Sequence, residues 1–199
     1  LQVNAYEGLK EYKKMIDAML TLYDKKGDSD YISIKRLKKD KRYAVAVLKE
    51  RIASEKDNAL WRLVLASLYE KCYMYSDALP IFNGLVDEYG VDEDLLDERA
   101  SCYEEMGMTE FALDDINKAL EICPEKDKAY FYLRRANILR YDGQYDAAIE
   151  DLTKYVDRYP TDAYGYYARG WCKELSGNLN GAMEDYNDGI AVDEDYPYI

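Results

Sequence analysis

Apolar residues return at helical spacing along most of the chain, in helix-length stretches separated by short polar or glycine-containing turns. Within residues 143–156, Ala148, Leu152 and Val156 are spaced four apart, which places them on one face of a helix. The stretch opens with Gly143, and glycine readily takes the left-handed conformation that ends one helix before the next begins. The pattern therefore predicts amphipathic helices joined in pairs by tight turns.

The helix pairs recur with a nearly constant period. Alanine marks the same point of each pair, with spacings of 34, 34, 36 and 34 residues, at Ala44, Ala78, Ala112, Ala148 and Ala182. Two additional residues in the linker 125–128 account for the longer spacing. A fixed period of this length is typical of arrays in which each helical hairpin packs on its neighbours.

Four full repeats begin at residues 59, 93, 129 and 163. Position 8 of each repeat is small, at Ala66, Ala100, Ala136 and Gly170, and position 20 is always alanine. Position 24 is bulky, at Phe82, Ile116, Leu152 and Tyr186. Proline at position 32 of two repeats, Pro124 and Pro160, stops the second helix. Small residues permit close approach of the two helices and bulky ones fill the space between them, so these positions predict the core.

The pattern resembles the tetratricopeptide repeat (TPR), whose repeat has small residues at positions 8 and 20, an aromatic at 11, a large residue at 24 and proline at 32. The resemblance covers residues 59–196. The chain departs from the family at position 4, usually tryptophan, and at position 11 of the last two repeats, which holds Leu139 and Lys173. The resemblance implies an all-α fold, an α-α superhelix (TPR solenoid) of antiparallel helical hairpins with an N-terminal helix.

The expected organisation has seven segments. Residues 1–26 form one N-terminal amphipathic helix that packs on the array, with an apolar stripe at Ala5, Leu9, Tyr12, Ile16, Met19, Leu20 and Tyr23. Residues 27–58 form a degenerate TPR-like hairpin whose first helix lies between Asp30 and Lys38. The repeats occupy 59–92, 93–128, 129–162 and 163–196, and 197–199 begin a truncated further repeat or a cap.

Charge is distributed unevenly around a net value of −13. Residues 1–58 hold 14 Lys and Arg against 10 Asp and Glu, and the remainder holds 13 against 30. An acidic body argues against nucleic acid as a partner, because neutralising phosphates requires clustered Lys and Arg. The basic run at residues 35–42 is the one candidate patch, and it is more typical of a solvated helix end.

The residue types present limit the chemistry. Histidine is absent, which removes Ser-His-Asp and Cys-His nucleophile arrangements and the common zinc-hydrolase motifs. The four cysteines, Cys72, Cys102, Cys123 and Cys172, lie in separate repeats without a close pair and are interpreted as small buried hydrophobes. We expect no enzyme activity, no catalytic residues, no cofactor and no metal. Unpaired cysteines favour the cytoplasm, but a first residue other than methionine leaves a secreted or periplasmic origin open.

Two charged columns change together from repeat to repeat. Position 7 is Arg99, Arg135 and Arg169 in the last three repeats, and position 23 is Asp115, Asp151 and Asp185. In the first repeat the same positions hold Leu65 and Ile81. The covariation predicts an ion pair between the two helices of each hairpin, since a guanidinium fork suits a carboxylate held at fixed distance. A ladder of arginines that binds anions is the alternative.

The resemblance also implies where a ligand would lie. In TPR proteins the first helices line a concave groove through positions 2, 5, 9, 12 and 13, where extended peptides commonly bind. The residues expected to bind a partner are Asp94, Asp97, Glu104, Tyr130, Asn137, Arg140, Tyr164, Tyr167 and Trp171. The groove is thus acidic in its middle and aromatic toward the C-terminus. The family's carboxylate clamp is absent from the first repeat, because Leu63 and Ser67 occupy its positions.

The sequence therefore predicts a noncatalytic scaffold that binds a basic or apolar segment of a protein partner, with no membrane insertion. The C-terminal anchors Tyr164, Tyr167 and Trp171 have a simpler alternative, packing against the next repeat. A groove for a small molecule or glycan and an accessory domain of a larger protein are further alternatives. Tyr186 and Ile190 are expected to be exposed at the C-terminal end, which predicts self-association there.

Overall fold

The computed structural model describes residues 2–8, 10–26, 32–56 and 58–197. Over these residues the secondary structure is helical, without strands, which confirms the all-α prediction. The helices are α1 Gln2–Gly8, α2 Tyr12–Lys26, α3 Ile34–Leu37, α4 Lys41–Ser54, α5 Ala59–Glu70, α6 Tyr75–Tyr89, α7 Glu93–Glu105, α8 Thr109–Ile122, α9 Lys128–Tyr141, α10 Tyr145–Arg158, α11 Ala163–Leu175 and α12 Leu179–Val192. A 3-10 turn, Lys38–Asp40, follows α3. None of the described helices combines the length and apolarity required to cross a bilayer.

The N-terminal segment forms two helices where the apolar stripe predicted one. Lys10, between α1 and α2, has a φ of 59°, a left-handed conformation in which a right-handed helix does not continue. Helix α2 buries Met15, Ile16, Met19 and Leu20, so the apolar face belongs mainly to this helix. Leu9 and the side chain of Ala5, also part of the predicted stripe, lie outside the described residues.

The chain divides into two compact units at Gly90 and Val91. In the N-terminal unit, α2 packs against α1 and α3, α5 packs against α3 and α4, and α6 closes a hairpin with α5. Trp61 of α5 is buried, and its ring lies 4.8 Å from that of Tyr23 in an edge-on arrangement. This contact joins α2 to the first full hairpin.

The expected degenerate hairpin has a short first helix, α3, followed by the 3-10 turn and the second helix α4. Residues 27–31, including Asp30 at its predicted start, lie outside the described residues. At the other end of the chain, Tyr198 and Ile199 also lie outside them, and a further repeat or cap at 197–199 stays a prediction.

The C-terminal unit consists of three hairpins, α7 with α8, α9 with α10 and α11 with α12, and α8 packs on α9 as α10 packs on α11. Small and bulky residues meet where the two helices of a hairpin cross. One buried cluster contains Ala136, Leu139, Ala148, Leu152, Ala168 and Cys172. Leu139 stands at position 11, where the TPR pattern has an aromatic residue, and its side chain is part of this buried cluster.

Glycine at the turn adopts a left-handed conformation in three hairpins, with φ of 72° at Gly107, 78° at Gly143 and 88° at Gly177. The first full hairpin has Tyr73 at the same position, with a φ of 61°. A side chain in this region is strained, because its Cβ crowds the backbone.

The two charged columns form the predicted ion pairs. Each arginine donates through Nε and Nη2 to both carboxylate oxygens of its aspartate, at 2.6–2.7 Å for Arg99–Asp115, 2.6–2.8 Å for Arg135–Asp151 and 2.7–3.0 Å for Arg169–Asp185. The three aspartates are 1–2% exposed. The hydrogen bond to Asp151 raises the pKa of Arg135 above its ordinary value. We call these pairs clasps; because their guanidinium groups are already engaged, the structure favours them over an anion-binding ladder.

Candidate partner-binding site

The acidic middle of the expected groove is occupied by an arginine from the next hairpin. Arg134 of α9 donates through Nε to Asp97 at 2.7 Å, through Nη2 to Ser101 at 3.1 Å and through Nη1 to Glu104 at 3.3 Å. These three acceptors stand at positions 5, 9 and 12 of α7, one turn apart on the same face. The arginine therefore neutralises Asp97 and Glu104 within the protein.

Tyr130 adds a second donor to the same carboxylate. Its hydroxyl donates to Asp97, and burial together with this hydrogen bond raises the pKa of Tyr130 to about 12. Asp94 stays largely exposed at the start of α7, and partial desolvation together with the neighbouring Asp92 and Glu93 raises the pKa of its carboxyl. Among the three acidic candidates, Asp94 is thus the one most open to a partner.

Sequence reasoning missed Arg134 because it stands at position 6, which is not a groove position of the TPR pattern. Its neighbour Arg135 belongs to a clasp, and the two adjacent arginines diverge toward different helices. The available signal was the row of acceptors one repeat upstream. A second arginine beside a clasp arginine, one repeat after two carboxylates on the first helix of the preceding hairpin, predicts a bridge between hairpins.

The three aromatic candidates of α11 meet in one cluster on the last hairpin. The ring of Tyr167 lies 6.4 Å from that of Tyr164, 5.8 Å from Trp171 and 6.3 Å from Tyr186 of α12. Tyr196, beyond α12, lies 6.1 Å from the same ring. Tyr167 is therefore the centre of the cluster, with partners on both helices of the hairpin.

Helix α9 adds a cation to this cluster. The guanidinium carbon of Arg140 lies 4.1 Å from the centroid of the Trp171 ring and 4.3 Å from that of Tyr141. A guanidinium at these distances is attracted to the electron-rich ring face. Asn137, one turn earlier on α9, is half-buried and makes no side-chain hydrogen bond to another described residue. The structure thus places Arg140 in contact with the aromatic anchor Trp171.

An open cleft of about 630 Å³ adjoins the cluster. Its lining residues come from the two helices of the last hairpin: Tyr167, Trp171, Glu174, Met183, Tyr186, Asn187 and Ile190. Met183 is 64% exposed and Ile190 44% exposed, so the cleft presents apolar side chains to solvent. We refer to it as the aromatic cleft.

Tyr186 lines the aromatic cleft and is fixed in place by a hydrogen bond. Its hydroxyl donates to Oε2 of Glu174 at 2.8 Å, and burial together with this hydrogen bond raises the pKa of Tyr186. The ring has room because position 8 of this repeat is Gly170: a Cβ there would lie 2.7 Å from Cε1 of Tyr186. The two preceding hairpins pair alanine at position 8 with Ile116 or Leu152 at position 24, both smaller than tyrosine.

The second helix supplies cleft residues that the groove positions do not include. Met183, Asn187 and Ile190 lie at positions 21, 25 and 28 of their repeat, whereas the groove of a TPR array is defined on first helices. The spacing of Met183, Tyr186 and Ile190 puts them on one face of α12, and this is the sequence feature that could have predicted their place in the cleft lining.

Comparison with known proteins agrees with this architecture. The family model described as tetratricopeptide repeat matches residues 129–162. A DnaJ protein P58IPK homolog from Arabidopsis thaliana is 32% identical over 110 residues, which are 54% of this chain and 22% of that protein. The match thus spans about a fifth of the relative's length.

Solved structures share the fold at low sequence identity. A crystal structure of MamA has a TM-score of 0.71 and 20% identity, covering 80% of this chain and 92% of that one. A crystal structure of YrrB, described as a TPR protein with an unusual peptide-binding site, has a TM-score of 0.68 and 16% identity, covering 90% and 94%. Residues 129–162 thus match the tetratricopeptide repeat, and the helical hairpins give the chain the fold of a TPR solenoid.

Proposed function

We propose that the chain is a noncatalytic scaffold that binds a segment of a partner protein in the aromatic cleft. TPR proteins in general bind protein or peptide partners, and their stacked repeats provide extended surfaces for them. The observation that carries the proposal is the exposure of Met183 and Ile190 beside the ring cluster centred on Tyr167. Rigid aromatic rings with nearby exposed aliphatic side chains are the kind of surface that dominates interface energetics.

The charge around the cleft favours a segment that carries Lys or Arg beside its apolar residue. Glu174 lines the cleft, and Glu184 and Asp188 are exposed on the same hairpin. These carboxylates would steer a basic segment toward the cleft and set its orientation, and an apolar side chain would supply the buried area. The upstream acidic candidates contribute less, because Arg134 already engages Asp97 and Glu104.

A glycan is a weaker candidate occupant. Sugar rings stack on open aromatic faces, but Arg140 already lies over the Trp171 ring and Tyr167 lies 5.8 Å from it. The apolar lining from Met183 and Ile190 suits an aliphatic or aromatic side chain better than hydroxyl groups. The relative that is matched over about a fifth of its length fits a role as one binding module of a larger protein.

The test is a pull-down with wild type and two matched variants. Met183→Glu places a charge inside the cleft, and Leu179→Glu places the same charge one turn earlier on α12, outside the lining. Leu179 is 61% exposed, close to the value for Met183, so the two changes are comparable in their effect on folding. A partner retained by wild type and Leu179→Glu but lost from Met183→Glu supports the proposal. A partner retained equally by all three contradicts it.

A further inference from the structure

The lysine run in the N-terminal unit lines a cleft that is separate from the aromatic cleft. The cleft has a volume of about 570 Å³, and its lining consists of Ile34, Lys35, Lys38, Lys39 and Lys71. The first four belong to α3 and the 3-10 turn, and Lys71 caps the C-terminus of α5. The fold therefore adds a fourth lysine, distant in sequence, to the run that the sequence interprets as a solvated helix end.

Among the described residues, little opposite charge lies beside these lysines. Over the part of the chain that the structure describes, Lys35, Lys38 and Lys39 have no carboxylate within ion-pair distance, whereas Arg36 in the same run pairs with Glu7 at 3.0 Å. Lys71 pairs with Glu70 at 2.9 Å. Like charges around one cleft repel, and an anion bound among them would relieve that repulsion.

An exposed, strained tyrosine borders the lysines. Tyr73 is 79% exposed and has a φ of 61°, at the turn position where the other three full repeats have glycine. Nζ of Lys38 lies 5.7 Å from the centroid of its ring. Strained conformations of this kind concentrate at functional sites, where another requirement holds the residue in place. The ring adds nothing to the core: it lies 6.4 Å from the Tyr75 ring and under the Lys38 ammonium, where it is open to a ligand that binds among the lysines.

We propose that this lysine cleft binds an acidic segment of a partner protein. Asp and Glu side chains would pair with Lys35, Lys38 and Lys39, and one apolar residue would pack on Ile34, the lysine stems and the Tyr73 ring. The site lies at the turn end of the hairpin, away from the positions of Leu63 and Ser67 that a TPR carboxylate clamp would use. It would take a partner of opposite charge to the one proposed for the aromatic cleft.

A protein segment fits better than a nucleic acid. The basic area is local, at four lysines around one cleft, and the chain as a whole carries a net charge of −13. A long polyanion requires a row of cations along its backbone, whereas a short acidic segment needs only a few. The apolar stems that line the cleft also favour a ligand with an apolar residue.

The test uses two fluorescein-labelled peptides in anisotropy titrations at low salt. One has a central Phe flanked on each side by Asp and Glu, and the other replaces these acids with Asn and Gln. Lys38→Gln/Lys39→Gln removes two cleft charges, and Lys49→Gln/Lys56→Gln removes two exposed charges of the same unit outside the cleft. We expect the acidic peptide to bind more tightly than the neutral one, with a loss of about tenfold in the cleft variant only.

Tyr73→Gly separates recognition from folding. Glycine relieves the positive φ, so we expect a higher Tm together with weaker binding of the acidic peptide. Equal binding of the acidic and neutral peptides, or equal losses in the two lysine variants, would overturn the proposal. Tighter binding of a single-stranded oligonucleotide than of the acidic peptide would also overturn it, in favour of a nucleic-acid site.

Discussion

Among single residues, the arginine–aspartate clasps give the most specific prediction about stability. Asp151 is 2% exposed, and its carboxylate accepts from Nε and Nη2 of Arg135 at 2.6 and 2.8 Å. Burying such a pair gains little net stability, because desolvation offsets the attraction between the charges. Removing one partner leaves the other charge buried without compensation.

Asp151→Leu is therefore expected to lower the free energy of unfolding by about 3 kcal/mol or more. Arg135→Leu/Asp151→Leu should recover much of that loss, because no buried charge remains and the first full repeat already holds Leu65 and Ile81 at the same two positions. Urea denaturation of wild type, both single variants and the double variant measures the coupling. Stability equal to wild type in the Asp151→Leu variant would show that the clasp has no energetic role.

Cys172 gives a prediction about pH. The thiol is fully buried, and burial raises its pKa from 9.0 to about 11. Well below pH 9 the thiol is neutral in both states. As pH rises through 9 toward 11 the unfolded state releases its proton first, so the native state loses stability. The loss approaches about 3 kcal/mol at most, from two pKa units at 1.36 kcal/mol each.

We expect Cys172→Ala to be less stable than wild type at pH 8 and to lose less stability on going to pH 11. Chemical denaturation at a series of pH values measures the difference, and Cys72→Ala, at a partly exposed position, serves as the matched variant. A difference between wild type and Cys172→Ala that stays constant across this range contradicts the role assigned to burial.

At the scale of elements, the last hairpin differs from the others by a coordinated exchange. Position 8 is Gly170 in place of alanine, and position 24 is Tyr186, whose ring occupies the space that a Cβ at residue 170 would take. The preceding hairpin has Ala136 and Leu152 at the same positions. The two residues therefore behave as one packing unit between α11 and α12.

Gly170→Ala is expected to destabilise the protein by about 1–3 kcal/mol, because the added methyl group overpacks the contact. Gly170→Ala/Tyr186→Leu should recover stability, since it reproduces the pair found one hairpin earlier, but it should weaken partner binding at the aromatic cleft. Thermal melting and the pull-down described above measure the two effects. If the double variant is no more stable than Gly170→Ala, the exchange is not a packing pair.

The contacts within each hairpin could largely be predicted from the sequence, because the period of the repeat fixes which residues face each other there. Ala136 and Leu152 are buried, and each clasp arginine meets its aspartate 16 residues later. Contacts between hairpins were not predictable in the same way. Arg134 donates to Asp97, which lies 37 residues earlier in the chain. The two residues meet only because α8 packs on α9 and so brings the two hairpins together.

The break at Lys10 was not predicted either, because the apolar stripe runs past it without a proline and Lys10 is not a residue that favours the left-handed conformation; the nearby Gly8 still belongs to α1. The lysine cleft was missed for a related reason. Its fourth member, Lys71, joins the run at residues 35–39 only through the packing of α3 against α5.

At the scale of the whole molecule, the exposed face of α12 makes self-association a testable proposal. Leu179, Met183 and Ile190 are all exposed and lie along one side of that helix. We expect the sedimentation-equilibrium mass of the wild type to rise with concentration, and that of Ile190→Glu to stay at the monomer value. A wild-type mass that is independent of concentration removes the proposal and leaves this face to other partners.

The molecule combines two clefts of opposite character: lysines and an exposed tyrosine in the N-terminal unit, aromatic and aliphatic side chains with acidic neighbours in the C-terminal unit. The two are expected to select different partners, and both interactions should weaken with salt wherever charge steers binding. We propose that the aromatic cleft recognises an apolar segment that bears basic residues.

The most direct measurement of this claim is a selection of displayed random peptides on the wild-type protein, followed by binding assays of the enriched peptides on Met183→Glu and Leu179→Glu. We expect the enriched peptides to carry a large apolar residue next to Lys or Arg, to bind wild type and Leu179→Glu, and to lose binding to Met183→Glu. Enriched peptides without this pattern, or with equal affinity for both variants, would contradict it and place recognition on another surface.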